Sequence, residues 1–316
     1  MRILVVGAGA IGGYFGGRLL AAGRDVTFLV RAARAARLAA DGLRVRSGFG
    51  DLHLPAPPTV QAGGLGAPYD LVLLSCKTYD LDGALDAFTP AVGPATLVLP
   101  MLNGMAHFET LDRRFGAGRV LGGLCLISSV MDPEGRIVHR NRMHGMVFGD
   151  RGGVGGARLE AVEAALAGAG FDARRSTEIV QELWEKWVFI AATAGVTCLM
   201  RATVGDVVAA AGTGFVAALL EECAAAAARQ GFPPRAAALE RMRAILTEPG
   251  SAVAASMLDD LERGRPTEAE PIIGDLVRRG RARGAALPLL ALAHTHLRTF
   301  EARRERMAAA AGTAPA

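Results

Sequence analysis

The chain has 316 residues, 51% of them apolar, and carries a formal net charge of +4 with no long run of one sign. That length exceeds one average domain and falls short of three, and the balance excludes a disordered or collagen-like chain. The basic residues are scattered, so no nucleic-acid face is expected, whereas a preference for anionic small ligands is.

Four cysteines, Cys76, Cys125, Cys198 and Cys223, lie far apart with no C-x-x-C pair. That spacing suits neither a zinc site nor a disulfide framework, so buried free thiols, no metal and a cytoplasmic location are expected. Met1 to Ala22 begins like a signal peptide, but its glycines sit in a strand–turn–helix pattern. Trp187 to Met200 is an uncharged run of 14 residues, too short to span a bilayer. A soluble chain without a membrane partner is therefore expected.

In chain order, Arg2 to Val6 reads as a strand and Ile11 to Ala22 as a helix. Asp25 to Val30 is a second strand, Ala32 to Ala40 a second helix, and Leu43 to Leu54 an antiparallel stretch. Tyr69 to Cys76 is a strand, Asp80 to Phe88 a helix and Ala95 to Leu99 a strand. Phe108 to Phe115 is a helix, Val120 to Val130 a strand. Arg136 to Asp150 and Phe171 to Ala173 are strands around a helix at Arg158 to Ala169. Such alternation implies an α/β fold, a doubly wound parallel sheet with helices on both faces.

From Thr177 onward only helices are expected: Ile179 to Met200, Val204 to Gln230, Pro234 to Leu246, Ser256 to Arg263, Glu270 to Arg283 and Leu287 to Glu301. The chain thus divides into a Rossmann domain over 1–175 and an all-helical domain over 176–303. Residues 304–316 are expected to fray. The apolar content of the helical half admits a homodimer.

The run Gly7-Ala8-Gly9-Ala10-Ile11-Gly12 follows the first strand and opens the first helix. There a G-x-G-x-x-G motif reads as a dinucleotide turn. The first glycine permits the tight turn, the second lets the backbone approach a pyrophosphate, and the third lets helix and strand pack closely. The helix N-terminus favours the phosphate charge.

NAD binders place an acid at the end of the second strand, for the ribose 2′-hydroxyl. This chain has Phe28-Leu29-Val30-Arg31 and then Arg34, and a guanidinium suits a 2′-phosphate. NADPH/NADP+ is therefore expected, although both arginines could also be solvated charges. Lys77 and Asn103-Gly104 follow later strands, where ligands of open α/β sheets bind; alone, they could be a surface lysine and a turn.

Lysine is rare here: Lys plus Arg total 35, and only Lys77 and Lys186 are lysines. Lys186 opens an apolar helix, where lost hydration lowers a lysine's pKa. Such an amine can protonate a carbonyl oxygen at neutral pH, which arginine cannot. It could equally snorkel to water. Thr267 and Glu268 could cap a helix, or Glu268 and Ser256 could bind a hydroxylated substrate. His294 and His296 point apart on a helix and are not read as metal ligands.

Taken together, these pieces resemble the ketopantoate reductase family (2-dehydropantoate 2-reductase) from Met1 to about Glu301. The pieces are the glycine turn, Arg31, Lys77, Asn103-Gly104-Met105, Lys186, Ser256-Met257-Leu258-Asp259-Asp260 and Thr267-Glu268. The resemblance implies NADPH-dependent reduction of 2-dehydropantoate to pantoate, on the route to coenzyme A. It implies Lys186 as the catalytic general acid. Residues 7 to 12, Arg31, Lys77, Asn103 and Glu268 would bind cofactor. Asn103, Lys186, Ser256 and Glu268 would bind substrate.

One departure stands out. The family's reductases usually carry Asn four residues after the lysine and often another further along; here those positions are Ile190 and Ala194. Each lost hydrogen bond is worth roughly 1 kcal/mol. The alternatives are a reductase of a more apolar 2-oxo acid, or an NADPH-binding protein without catalysis.

Overall fold

The structure is a computed structural model that describes residues 1–310 and 312. Its chain forms two units, one of Met1–Leu102 with His107–Val180, the other of Asn103–Ala106 with Gln181–Ala316. The division expected after residue 175 thus falls a few residues later, and a short piece after Leu102 joins the helical unit.

In the first unit, β1 (Arg2–Val6), α1 (Ala10–Ala21), β2 (Asp25–Leu29) and α2 (Ala32–Asp41) come first. Then come β3 (Leu43–Arg46), β4 (Leu52–Leu54), β5 (Thr59–Val60), β6 (Tyr69–Leu74), α3 (Leu81–Phe88), β7 (Val92–Pro100) and α4 (Ala106–Phe115). The unit continues through β8 (Gly122–Leu126), β9 (Ser129–Met131), β10 (Ile137–His139), β11 (Gly145–Gly149), α5 (Gly156–Leu166) and β12 (Asp172–Arg175).

A five-stranded parallel sheet runs β5-β2-β1-β6-β7. The order reverses at β1/β6, the switch point where such sheets bind ligands beyond their strands' C-terminal ends. Val5 pairs with Phe28 on one side and Leu73 on the other, and all three are fully buried. Burial on both faces explains why β1 and β6 read as unbroken apolar runs rather than alternating ones. Each such side chain contributes about 1.5–3 kcal/mol by leaving water. A methyl group on Gly16 of α1 would press into the rings of Phe28 and the side chain of Val5, so this glycine sets how closely α1 approaches the sheet.

Two expected strands divide. Val120 to Val130 becomes β8 and β9, and Arg136 to Asp150 becomes β10 and β11. The halves join different sheets, β4-β3-β10-β9 and β12-β11-β8, so the chain must leave one sheet for the next at Ile127–Ser128 and at Arg140–His144. The expected antiparallel stretch at Leu43 to Leu54 is the β3–β4 pair.

The helical unit contains α6 (Ile179–Met200), α7 (Val204–Ala209), α8 (Thr213–Arg229), α9 (Ala236–Leu246), α10 (Ser256–Glu262), α11 (Asp275–Ala282) and α12 (Pro288–Ala310). By length and composition α6 could cross a membrane, but 72% of its apolar window is buried within the protein, so it is a core helix. Val188, Ala191, Ala192 and Val196 are fully buried, and Gly195 lets Leu219 of α8 lie against it.

The helix expected over Val204 to Gln230 breaks between α7 and α8. Thr203 and Asp206 form a reciprocal capping box that starts α7. The break follows because Gly212 folds back onto Val207, whose carbonyl accepts its N–H at 2.9 Å. The N-terminus of α12 is capped by Glu222 of α8, whose carboxylate accepts from the Leu289 and Leu290 amides at 3.0 and 2.8 Å. Residues 304–310 continue α12 rather than fray; the rest of the expected tail, apart from residue 312, lies outside the described residues.

Candidate functional site

The dinucleotide turn stands at the switch point. Gly7 has φ +92°, which a side chain tolerates poorly, and its N–H bonds the Leu29 carbonyl at 3.0 Å. A Cβ on Gly12 would collide with Ser75 Oγ and the Gly7 carbonyl, whereas one on Gly9 would meet nothing. The turn is therefore closed behind Gly12 and open above Gly9, the shape a pyrophosphate needs. No side chain caps the start of α1, which leaves its first-turn amides to an outside acceptor. These residues fit a dinucleotide.

Ser75, at the end of β6, donates to the Val6 and Gly7 carbonyls at 2.8 and 3.1 Å. It ties the glycine turn to the strand end that carries half-buried Lys77. Arg31 N-caps α2 by position, with its side chain 77% exposed and its Nη2 2.6 Å from Asp80 Oδ1. The Asp80 hydrogen bond and charge hold the Arg31 guanidinium above its ordinary value. Arg34 turns back onto the glycine turn, donating from Nε to the Ala8 carbonyl at 3.0 Å and from Nη1 to Gly135 at 3.4 Å. Burial, with Arg37 adding, pushes the Arg34 guanidinium below its ordinary value, and its buried Nη2 has no partner among the described residues. The structure thus gathers Gly7 to Gly12, Arg31 and Lys77 at one sheet edge.

In the helical unit, the chain neighbours of Lys186 and Asn103 meet one segment, which Glu268 begins. After Ala269 the helix widens into a π turn over Glu270–Gly274, as such turns often do near functional sites. Pro271 has no N–H to give to a helical ladder. Trp187, next to Lys186 and 1% exposed, donates its indole N–H to the Ile272 carbonyl at 2.8 Å. Gly104, next to Asn103, has φ +78° and lies so close to the Pro271 carbonyl that a Cβ would collide with it. Glu268, 6% exposed, begins the same segment.

That segment is fixed at both ends. Glu301 of α12 accepts from the Thr267 amide at 2.7 Å. Glu270 meets Arg278 at 2.7 Å and His294 at 3.0 Å. Lys186 itself is half-buried on α6, beside Glu185, which Arg235 grips through Nε and Nη2, both at 2.7 Å.

Ser256 is placed differently. It is exposed at the first position of α10, and the preceding Ala255 amide bonds Thr197 Oγ1 at 3.2 Å. Thr197 stands three turns along α6 from Lys186, roughly 16 Å of helix rise. Ile190 is half-buried and Ala194 2% exposed, at the i+4 and i+8 positions from Lys186.

Sequence reasoning missed the anchoring roles of Ser75, Asp80 and Trp187. Ser75 carried a signal, since it stands where a strand ends beside the motif. Trp187 and Asp80 carried none, because their partners are 85 and 49 residues away.

Comparison with known proteins now adds to this geometry. The family model described as "Ketopantoate reductase PanE/ApbA" matches residues 3–153, and its C-terminal counterpart matches residues 178–301. The chain is 35% identical over 305 residues to "Uncharacterized oxidoreductase YkpB" of Bacillus subtilis (strain 168), covering 96% of this chain and all of that one. Its fold matches the crystal structure of 2-dehydropantoate 2-reductase from Geobacter metallireducens GS-15 with a TM-score of 0.86 at 30% identity, covering 95% and 99% of the two chains. A D-mandelate dehydrogenase solved with NADH and anilino(oxo)acetate shares the fold, with a TM-score of 0.86 at 20% identity over 96% and 99% of the two chains. With both family models matched in order and the glycine turn and helical segment in place, the chain belongs to the ketopantoate reductase family, a family of oxidoreductases that act on CH–OH and 2-oxo groups with a nicotinamide cofactor.

Proposed function

We propose that the chain is an NADPH-dependent reductase of a 2-oxo acid, with 2-dehydropantoate as the first substrate to try and pantoate as its product. The observation that carries this reading is that Gly104, next to Asn103, and Trp187, next to Lys186, both meet the Pro271–Ile272 backbone, on the segment that Glu268 begins. Gly7 to Gly12 would hold the pyrophosphate, with Arg31 and Lys77 on the 2′-phosphate side. A bound reduced nicotinamide supplies the hydride. Lys186 donates its ammonium proton to the carbonyl oxygen as the carbon is reduced, then regains one from water. Glu268, an acceptor when ionised, hydrogen-bonds a substrate hydroxyl; Asn103 orients cofactor and carbonyl. None of the four cysteines is in a disulfide among the described residues and three are buried, which suits a reducing compartment, and we place the enzyme in the cytoplasm.

A second reading rests on Ile190 and Ala194. They stand where the family usually has amides, and apolar groups there suit a more apolar 2-oxo acid than 2-dehydropantoate. Steady-state kinetics on both substrate classes test the two readings. Higher kcat/KM on 2-dehydropantoate supports the first, and higher kcat/KM on branched apolar 2-oxo acids supports the second.

A further inference from the structure

The Arg31 guanidinium, expected to meet a 2′-phosphate, already holds a carboxylate. Asp80 Oδ1 lies 2.6 Å from its Nη2, and the two side chains are 35% and 77% exposed. Asp80 closes the turn after β6, with its amide bonded to the Lys77 carbonyl at 2.9 Å. It therefore stands on the sheet edge that carries the glycine turn. We propose that Asp80 is a cofactor-discriminating residue, which sets how strongly this enzyme prefers a 2′-phosphorylated dinucleotide. The proposal rests on assigning the glycine turn to a nicotinamide dinucleotide.

The two anions compete by charge. A 2′-phosphate and an ionised carboxylate compete for the same guanidinium and repel each other. A 2′-hydroxyl instead donates to a carboxylate, the role that an acid at the end of the second strand plays in NAD binders. No acid stands at the end of β2 here, but the fold delivers one from the loop after β6. Arg34 does not restore the balance, since its Nε and Nη1 are engaged with the Ala8 and Gly135 carbonyls and its Nη2 is buried. Arg31 thus favours NADPH and Asp80 favours NADH. The pair leaves NADPH ahead, by no more than about tenfold, because an exposed ion pair is a small effect.

Calorimetric titration of the full chain with NADP+ and NAD+, beside kcat/KM for NADPH and NADH, tests this. Asp80→Asn should raise the NADP+ to NAD+ affinity ratio by about fivefold, the worth of an exposed pair. Asp80→Glu should keep the wild-type ratio, and Asp80→Ser serves if the Asn variant folds poorly. An unmoved ratio with both dinucleotides still bound overturns the proposal while leaving the dinucleotide site intact. So does an equal loss of both, which marks a purely structural residue. If wild type binds neither dinucleotide, the proposed function fails and this proposal with it.

Discussion

The indole Nε1 of Trp187 donates to the carbonyl oxygen of Ile272 at 2.8 Å, linking the helix that carries Lys186 to the segment that carries Glu268. Both groups are buried, so an unpaired Ile272 carbonyl would have no water to turn to. Trp187→Phe removes the donor and keeps most of the ring. It should lower stability by about 1–3 kcal/mol, the cost of a buried unsatisfied acceptor. It should also lower kcat by roughly tenfold while leaving NADPH affinity unchanged, as expected when a proton donor is misplaced. Denaturant unfolding and steady-state kinetics read the two effects. Equal kcat in the variant would show that Trp187 only packs.

Lys186 offers a sharper chemical test. Lys186→Ala should reduce turnover by about 10²–10⁴-fold, the usual worth of a general acid, with dinucleotide binding retained. Lys186→Arg should not restore it, because a guanidinium does not release its proton. Near-normal turnover in either variant would remove Lys186 as the acid.

On the second proposed reading, Ile190 and Ala194 select the substrate. Ile190→Asn together with Ala194→Asn should raise the kcat/KM ratio of 2-dehydropantoate over a branched apolar 2-oxo acid by about tenfold or more, since each new hydrogen bond is worth roughly 1 kcal/mol. Ala194 is 2% exposed, so the single Ile190→Asn variant guards against overpacking at the second site. An unchanged ratio in both variants would place substrate selection elsewhere.

Glu185 gives a pH dependence with a definite sign. Burial alone would raise its carboxyl, but the Arg235 side-chain and backbone hydrogen bonds outweigh that and hold it below its ordinary 4.5. A lowered folded value means that the unfolded chain binds the proton more readily. The Glu185–Arg235 contribution is thus fully present above about pH 4.5 and is lost as pH falls through the lowered folded value. Arg235→Met should destabilise the protein at pH 7 and flatten this acid limb, read by urea denaturation across pH 3–7. An acid limb as steep as in wild type would assign it to other carboxylates.

Much of the first unit was legible in the sequence because its signals are local. The glycine spacing, the apolar runs of β1 and β6 and the missing acid after β2 are each contained within a few consecutive residues. The division of Val120 to Val130 between two sheets was not legible, since both halves are apolar and only pairing separates them. The α7–α8 break escaped because it depends on Gly212 approaching the Val207 backbone. In the helical unit the sequence supplied Lys186 and Glu268 as types. The contacts of Trp187 and Gly104 with the Pro271–Ile272 segment join residues far apart in the chain, and no periodicity predicts them. The absent acid after β2 could not reveal Asp80, which the fold brings to Arg31 from the loop after β6.

The central claim is a dinucleotide-dependent reduction of a 2-oxo acid, and one measurement tests it most directly. NADPH oxidation should be followed with the full chain across hydroxylated and branched apolar 2-oxo acids. The account predicts oxidation matched mole for mole by the 2-hydroxy acid product with at least one of them. Tight NADPH binding with no 2-oxo acid reduced would contradict it, and would leave a dinucleotide-binding protein without this chemistry.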